Sequence, residues 1–162
     1  MNNINLLKKY AFTYLSKYDS TKKNLERILK IKVMKMKNLK KNEEKYLYKN
    51  IMQIIENLEL NKIINDENFT NTKIRSLFHQ GKSEFFIKNT LLKKGVDKKL
   101  INVLLEDFEN NNPNWKIDSA IKFAIKKRLG KYGKIKNKEK DLAKMARAGF
   151  NYNIALKALE YD

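Results

Sequence analysis

Residues 91–97 read LLKKGVD and residues 145–151 read MARAGFN, so one short phrase occurs twice, 54 positions apart. In both copies a run of helix-forming residues leads to a glycine, Gly95 or Gly149, which can adopt the left-handed conformation that ends a helix. An apolar residue follows each glycine, and then Asp97 or Asn151, whose side chain can cap the next helix. The pattern predicts a helix–turn–helix hinge that is used twice, which is typical of stacked small helical units.

The composition favours a helical fold with a packed core. The chain has 162 residues, of which 42% are hydrophobic, and it contains only one proline and five glycines. Few residues therefore interrupt helices, and the apolar content is sufficient to bury a core. The absence of cysteine excludes disulfides, thiolate catalysis and thiolate zinc sites.

The helical pattern extends to both sides of the repeated phrase. Thr21 and Ser83 lie 62 positions apart, and each precedes an apolar stripe with helical spacing. Residues 110–114, NNNPN, form the clearest boundary. We predict an all-α fold with about nine helices and no sheet, arranged as tandem three-helix repeats at residues 1–62, 63–112 and 113–162 in an elongated molecule. The first repeat lacks the hinge glycine. Its basic stretch, residues 30–49, either extends a helix or forms a mobile insertion.

Positive charge is concentrated towards the two ends of the chain. The formal net charge is +18, with +10 in residues 8–49 and +9 in residues 116–147, whereas residues 50–115 are neutral. Such a distribution predicts a polyanionic partner, either nucleic acid or a nucleoprotein assembly. The alternative is a compositional habit, since Lys, Asn and Ile are all frequent, as AT-rich coding sequence produces.

No pattern of residues predicts an enzyme, a cofactor or a metal site. The single histidine, His79, has no partner at triad or metal spacing. Asp66 and Glu67 lie at a predicted helix start, where Asn65 or Asp66 can act as the cap. Residues 130–134, GKYGK, lack the order of a phosphate-binding loop. No apolar run approaches the roughly 18 residues of a membrane span, so we expect a cytoplasmic protein without membrane contact.

A series of phrases along nearly the whole chain resembles the RecX regulatory family. The order of the phrases is more specific than any one of them, and the first repeat departs from the family pattern. The phrases are IINDENF at 63–69, RSL at 75–77, GKS at 81–83, LKKGV at 92–96, KRLG at 127–130 and AGF at 148–150.

The resemblance implies a row of three-helix repeats in an elongated, curved molecule. It also implies binding to the RecA recombinase along the groove of its DNA filament, with modulation, which we expect to be inhibition, of recombination, ATPase and coprotease activities. We expect a monomer that binds single- or double-stranded DNA weakly and without sequence specificity. The alternative is a general nucleic-acid-binding helical protein of the helix–turn–helix type.

The basic side chains in and around these phrases are the predicted contacts to partner and nucleic acid. They are Arg75, Lys82, Lys93, Lys94, Lys126, Lys127, Arg128, Lys131, Lys134 and Arg147.

Overall fold

The structure, a computed structural model, describes residues 2–161, and within that range the chain is all-helical, as predicted. It contains, in the described residues, nine α-helices, one short 3₁₀ helix and no strand. The helices are α1 (Asn3–Leu15), α2 (Lys22–Met34), α3 (Lys41–Leu60), α4 (Asp66–His79), α5 (Glu84–Lys93), α6 (Lys98–Asn111), α7 (Trp115–Lys127), the 3₁₀ helix (Gly130–Tyr132), α8 (Lys138–Arg147) and α9 (Tyr152–Leu159).

Both hinges have the backbone geometry that the sequence predicts. Gly95 and Gly149 have φ angles of +82° and +87°, in the left-handed region that favours glycine. The side chains of Asp97 and Asn151 accept hydrogen bonds from backbone N–H groups in the first turns of α6 and α9, at 2.8 Å and 3.0 Å. The hinge and capping assignments are therefore confirmed.

The start of α4 resolves the choice between two capping residues. Asn65 accepts a hydrogen bond from the N–H of Asn68 at 3.0 Å, so Asn65 caps α4. Asp66 instead accepts from the backbone N–H of Lys22 at 2.8 Å, at the first turn of α2. A residue from one helix thus satisfies an N–H group that another helix leaves without an intrahelical acceptor.

The chain divides into two compact units, and the first is built on α1, α2 and α3. Unit 1 comprises the chain up to Phe69 together with Lys94–Val96, and unit 2 comprises Thr70–Lys93 and the chain from Asp97 onward. In unit 1, α3 packs against both α1 and α2. Its buried core consists of Leu7, Ala11, Leu25, Leu29, Val33, Leu47, Ile51, Ile54, Ile55, Leu58 and Ile64.

Unit 2 contains an aromatic cluster and a core that is rich in small side chains. Trp115, only 1% exposed, meets Phe78 and Phe108 edge-to-face, with ring centroids 6.4 Å and 5.7 Å apart. In the same unit α9 packs against α7 and α8. The core between these three helices contains Ala120, Ala124, Leu129, Met145, Phe150, Ala155, Ala158 and Leu159.

The predicted repeat boundaries after residues 62 and 112 both fall between helices. The division into three domains at those residues stays a prediction.

Each unit contains a hydrogen-bonded joint of the same kind. In unit 1 the hydroxyl of Thr21 accepts from an N–H in the first turn of α2 at 3.1 Å and donates to the carbonyl of Lys94 at 2.5 Å. In unit 2 the hydroxyl of Ser83 accepts from an N–H in the first turn of α5 at 3.2 Å and donates to the carbonyl of Ala148 at 2.7 Å. Each hydroxyl therefore caps its own helix and also holds the backbone just before a hinge glycine.

The close approach at these joints explains why both hinges require glycine. A Cβ atom on Gly95 would lie 2.8 Å from the Cβ of Lys23, and one on Gly149 would lie 2.6 Å from the Oγ of Ser83. Either distance is shorter than a van der Waals contact. Any other residue would therefore add steric overlap to the strain of the left-handed backbone.

The basic stretch of the first repeat is ordinary helix and turn. Residues 30–49 form the end of α2, a turn at residues 35–40 and the first half of α3, so most of the stretch extends helices.

The first repeat has no hinge glycine at the position that corresponds to Gly95. The offset of 62 residues that relates Thr21 to Ser83 places Val33 at that position, and Val33 is buried within α2. Among the described residues no capping hydroxyl donates to the turn at 35–40, which passes through Asn38 at a φ of +62°. Asn38 is exposed, so its side chain has room in solvent.

Substitutions at the two hinges should separate backbone strain from steric overlap. Gly95→Val and Gly149→Val should each lower the free energy of unfolding by about 2 kcal/mol or more, because both effects apply. Gly95→Asn should cost less, because asparagine tolerates a positive φ and only the overlap with Lys23 remains. The measurement is urea denaturation followed by circular dichroism.

The exposed turn at Asn38 provides the control. Asn38→Gly retains the left-handed backbone at this exposed position, and it should change the free energy of unfolding by less than about 1 kcal/mol. A Gly95→Asn variant as stable as the parent protein would show that the joint does not exclude a Cβ atom.

Candidate functional site

The end of α7 and the loop that follows present five of the predicted binding residues. Lys126 and Lys127 occupy the last turn of α7, and Arg128 forms its left-handed C-cap at a φ of +53°. Lys131 lies in the 3₁₀ helix and Lys134 in the loop after it. All five side chains are exposed, and we name residues 126–134 the basic segment.

The basic segment combines exposed side chains with an anchored backbone. The N–H of Gly130 donates to the buried carboxylate of Asp141 at 2.8 Å, and the hydroxyl of Tyr161 donates to the same oxygen at 2.6 Å. Leu129 is buried beside them, in the core of unit 2. Burial and the hydrogen bond to Asp141 raise the pKa of Tyr161, which therefore stays a donor at neutral pH. The lysine side chains thus project from a fixed backbone.

Only one of the five cations is neutralised by a neighbour. Lys131 forms an ion pair with Glu160, and that hydrogen bond raises the pKa of the lysine. Lys126, Lys127, Arg128 and Lys134 form no ion pair with any described residue. Four charges on this segment are therefore available to an external anion.

The other predicted residues lie on separate elements. Arg75 is exposed on α4 and Lys93 at the end of α5, while Arg147, at the end of α8, donates to the carbonyl of Ala143 at 3.3 Å. The ammonium of Lys82 lies 4.6 Å from the ring centroid of Phe86. Lys94 belongs to unit 1, where its carbonyl accepts the hydrogen bond from Thr21 and its side chain is exposed. The residues of the basic segment, by contrast, all belong to one short stretch of the chain.

Unit 2 also contains an ion-pair cluster that the sequence analysis missed. The ammonium of Lys116 contacts Glu84 at 3.0 Å and Glu109 at 2.9 Å, and that of Lys88 contacts Glu84 at 2.7 Å. Desolvation alone would raise the pKa of Glu84, but the hydrogen bonds from both lysines outweigh it and lower that pKa. Desolvation opposes the charge of Lys116 as well, yet its two carboxylate partners raise its pKa. The four groups form an electrically neutral cluster that joins α5, α6 and α7.

An open cleft of about 440 Å³ lies beside this cluster. One wall carries Lys88 and Lys116, and the hinge residues Gly149 and Phe150 form part of the lining. Phe85 lines the same cleft with its side chain 65% exposed. The sequence signal for the cleft is the adjacent pair Phe85 and Phe86 at a helix start, since one helical face cannot bury both.

The described residues do not bring His79 and acidic side chains together in a catalytic or metal-binding cluster. His79 is exposed, with its ring centroid 5.4 Å from that of Phe78. Within residues 2–161 no three or more His, Asp or Glu side chains are grouped so that they could hold a metal ion. None of the helices in the same range is both long and apolar enough to cross a membrane.

These features define a helical repeat protein whose distinguishing surfaces are an anchored basic segment and an open cleft that contains an exposed aromatic side chain. No family model matches the sequence. The chain is, however, 30% identical over 159 residues to the regulatory protein RecX of Myxococcus xanthus, an alignment that covers 95% of this chain and 84% of the relative. It is 31% identical over 111 residues to the regulatory protein RecX of Streptococcus mutans, covering 68% of this chain and 42% of the relative.

The fold agrees with this similarity. The crystal structure of RecX from Lactobacillus salivarius matches with a TM-score of 0.71 at 22% identity, and the match covers 97% of this chain and 94% of that one. The chain belongs to the RecX family of regulatory proteins.

Acid titration should reveal the contribution of Glu84 to stability. Because its pKa is lowered in the folded state, its stabilising effect is present above the unfolded value of 4.5 and is lost as the pH falls through the folded pKa. Glu84→Gln should therefore be less stable than the parent at pH 7, by up to about 1 kcal/mol for such half-exposed pairs. The difference should disappear in acid. Glu106→Gln, exposed on α6, is the control, and a pH-independent loss from Glu84→Gln would contradict the pairing.

Asp141→Ala should loosen the basic segment. Alanine has no acceptor oxygen, so the N–H of Gly130 and the hydroxyl of Tyr161 would both lose their hydrogen-bond partner. We expect a loss of about 1–3 kcal/mol in the free energy of unfolding and faster hydrogen exchange at the Gly130 amide. Glu139→Gln, exposed on the same helix, should leave both quantities unchanged. Unaltered exchange at Gly130 in the Asp141 variant would show that the carboxylate does not anchor the loop.

Proposed function

We propose that this chain binds the RecA recombinase on its DNA filament and lowers the recombination, ATPase and coprotease activities of that filament. Membership of the RecX regulatory family supports a regulator. Both similar proteins, from Myxococcus xanthus and Streptococcus mutans, are regulatory proteins by name.

The observation that carries the proposal is the basic segment with its unpaired charges. Lys126, Lys127 and Arg128 are exposed at the end of α7, and the N–H of Gly130, two residues further on, is held by Asp141. A nucleoprotein filament presents phosphate along its length, and such cations gain affinity by releasing the counterions condensed on phosphate. Anchoring the backbone reduces the ordering cost of binding.

The DNA contact should be weak and indifferent to sequence. A helix that reads bases concentrates Arg, Asn and Gln at its exposed start. After the hinges, α6 begins with Lys98 and Lys99, and α9 begins with Tyr152 and Asn153. The phosphate contacts are assigned instead to the basic segment, whose cations are mostly lysines, and lysine binds phosphate as a point charge without discriminating between bases. We therefore propose that a monomer uses phosphate contacts to support binding to the recombinase, rather than to select a DNA site.

The experiment that tests this function measures ATP hydrolysis by RecA on single-stranded DNA over a series of salt concentrations. The parent protein should lower the rate, and Lys126→Gln/Lys127→Gln should inhibit less at every salt concentration below about 0.2 M. For direct DNA binding, loss of the two charges should reduce the slope of log K against log salt by roughly 1.4, at about 0.7 per phosphate contact.

The matched control is Lys98→Gln/Lys99→Gln, which removes two adjacent exposed lysines from another helix. It should inhibit as the parent does, and both variants should melt close to the parent. Equal losses of inhibition in the two double variants would show that the effect depends on the overall positive charge of the protein and not on the basic segment. A parent protein that coats DNA without changing RecA turnover would favour the general nucleic-acid-binding alternative.

A further inference from the structure

Phe85 is an apolar side chain that is exposed yet held in position. Its Cδ1 atom lies 3.0 Å from the point where a Cβ of Gly149 would stand, so one edge of the ring rests on the hinge backbone. The rest of the side chain faces the cleft and solvent, and 65% of it is exposed. Among the described residues no other ring and no cation covers it, whereas the neighbouring Phe86 lies under the ammonium of Lys82. A fixed, uncovered aromatic ring is a common anchor in protein interfaces.

The cleft beside Phe85 has an apolar side and a polar side. Phe150 and Ile154 contribute apolar surface, while Lys88 and Lys116 contribute ammonium groups. Lys116 already donates to two carboxylates, but Lys88 donates to Glu84 alone. An ammonium has three N–H donors, so Lys88 can donate to a further acceptor inside the cleft.

The charge balance distinguishes this cleft from the basic segment. The two lysines are matched by Glu84 and Glu109, so the cluster carries no net charge to attract a phosphate backbone. A ligand with a single carboxylate beside an apolar side chain suits the cleft better, because Lys88 can donate to the carboxylate and Phe85 offers an apolar surface. A carboxylate and an apolar side chain lie side by side on the surfaces of many proteins.

We propose that this cleft binds the protein component of the filament, by taking an apolar side chain of the recombinase against Phe85 and an adjacent carboxylate against Lys88. The inference rests on the proposed function and assigns separate surfaces to its two partners. The cleft contacts recombinase, and the basic segment contacts phosphate.

The test compares binding to two probes. One is a RecA filament assembled on single-stranded DNA with a non-hydrolysable ATP analogue, and the other is the same DNA without protein. Phe85→Ala should weaken filament binding on the order of tenfold, the effect of losing one aromatic anchor, and should leave binding to naked DNA unchanged. Because the lost contact is apolar, the slope of log K against log salt should stay that of the parent.

Two further variants connect the result to the cleft. Tyr46→Ala removes an aromatic side chain of similar exposure, 55%, from α3 and should bind both probes like the parent. Lys88→Gln should weaken filament binding less than Phe85→Ala does, and Lys88→Arg should restore most of the loss. Melting temperatures within a few degrees of the parent establish that the variants are folded.

Each outcome decides a different statement. If the parent binds the filament no better than naked DNA, the proposed function itself fails. If the parent prefers the filament and Phe85→Ala binds it as tightly as the parent does, the cleft is not the docking surface. Loss of naked-DNA binding in Phe85→Ala would make the ring a stacking platform for bases and would overturn the assignment to protein. Selective loss of filament binding, with Lys126→Gln/Lys127→Gln reducing the salt slope, is the result we expect.

Discussion

A single hydroxyl group determines how each hinge is built. On Thr21 in unit 1 and on Ser83 in unit 2, the same oxygen accepts from its own helix and donates to the carbonyl before a hinge glycine. The second bond draws two stretches of backbone so close that a side chain on the hinge residue would overlap its neighbours. Glycine at both hinges is therefore a consequence of packing as well as of backbone conformation. Where no such bond forms, at residues 35–40, the chain uses Asn38 instead.

The candidate surfaces depend on the same kind of constraint. Gly149 allows Phe85 to rest on the hinge, so the joint that organises unit 2 also fixes the aromatic ring of the cleft. In the basic segment, the buried carboxylate of Asp141 fixes the backbone in a similar way, because it accepts a hydrogen bond from the N–H of Gly130. In both places a buried group sets the backbone and leaves an exposed side chain for a partner. Less conformational freedom is then lost on binding, which favours affinity.

The sequence predicted those parts of the structure that depend on local chemistry. Glycine and capping residues act within a few positions of themselves, so the hinges and the caps at Asp97 and Asn151 could be identified from spacing alone. Asp66 could not be assigned in this way, because its acceptor role involves Lys22, 44 positions away. The cleft was missed for the same reason: its lining combines α5, α7 and the hinge before α9. The predicted basic residues are exposed or half-exposed, but only the structure distinguishes Lys131, paired with Glu160, from its unpaired neighbours.

That distinction changes the meaning of the net charge. A formal charge of +18 counts every lysine equally, whereas only an unpaired, solvated cation can release counterions from nucleic acid. Lys116 is counted within the basic run 116–147, yet it is neutralised by Glu84 and Glu109 and serves to join helices. Lys126 and Lys127, a few turns further along α7, have no such partner. Salt should therefore act on the two surfaces differently: it screens the basic segment strongly, and it leaves the apolar contact at Phe85 nearly unchanged. A protein that joins these two kinds of surface can bind a nucleoprotein filament more tightly than either of its components, because the second contact forms at high effective concentration once the first is made.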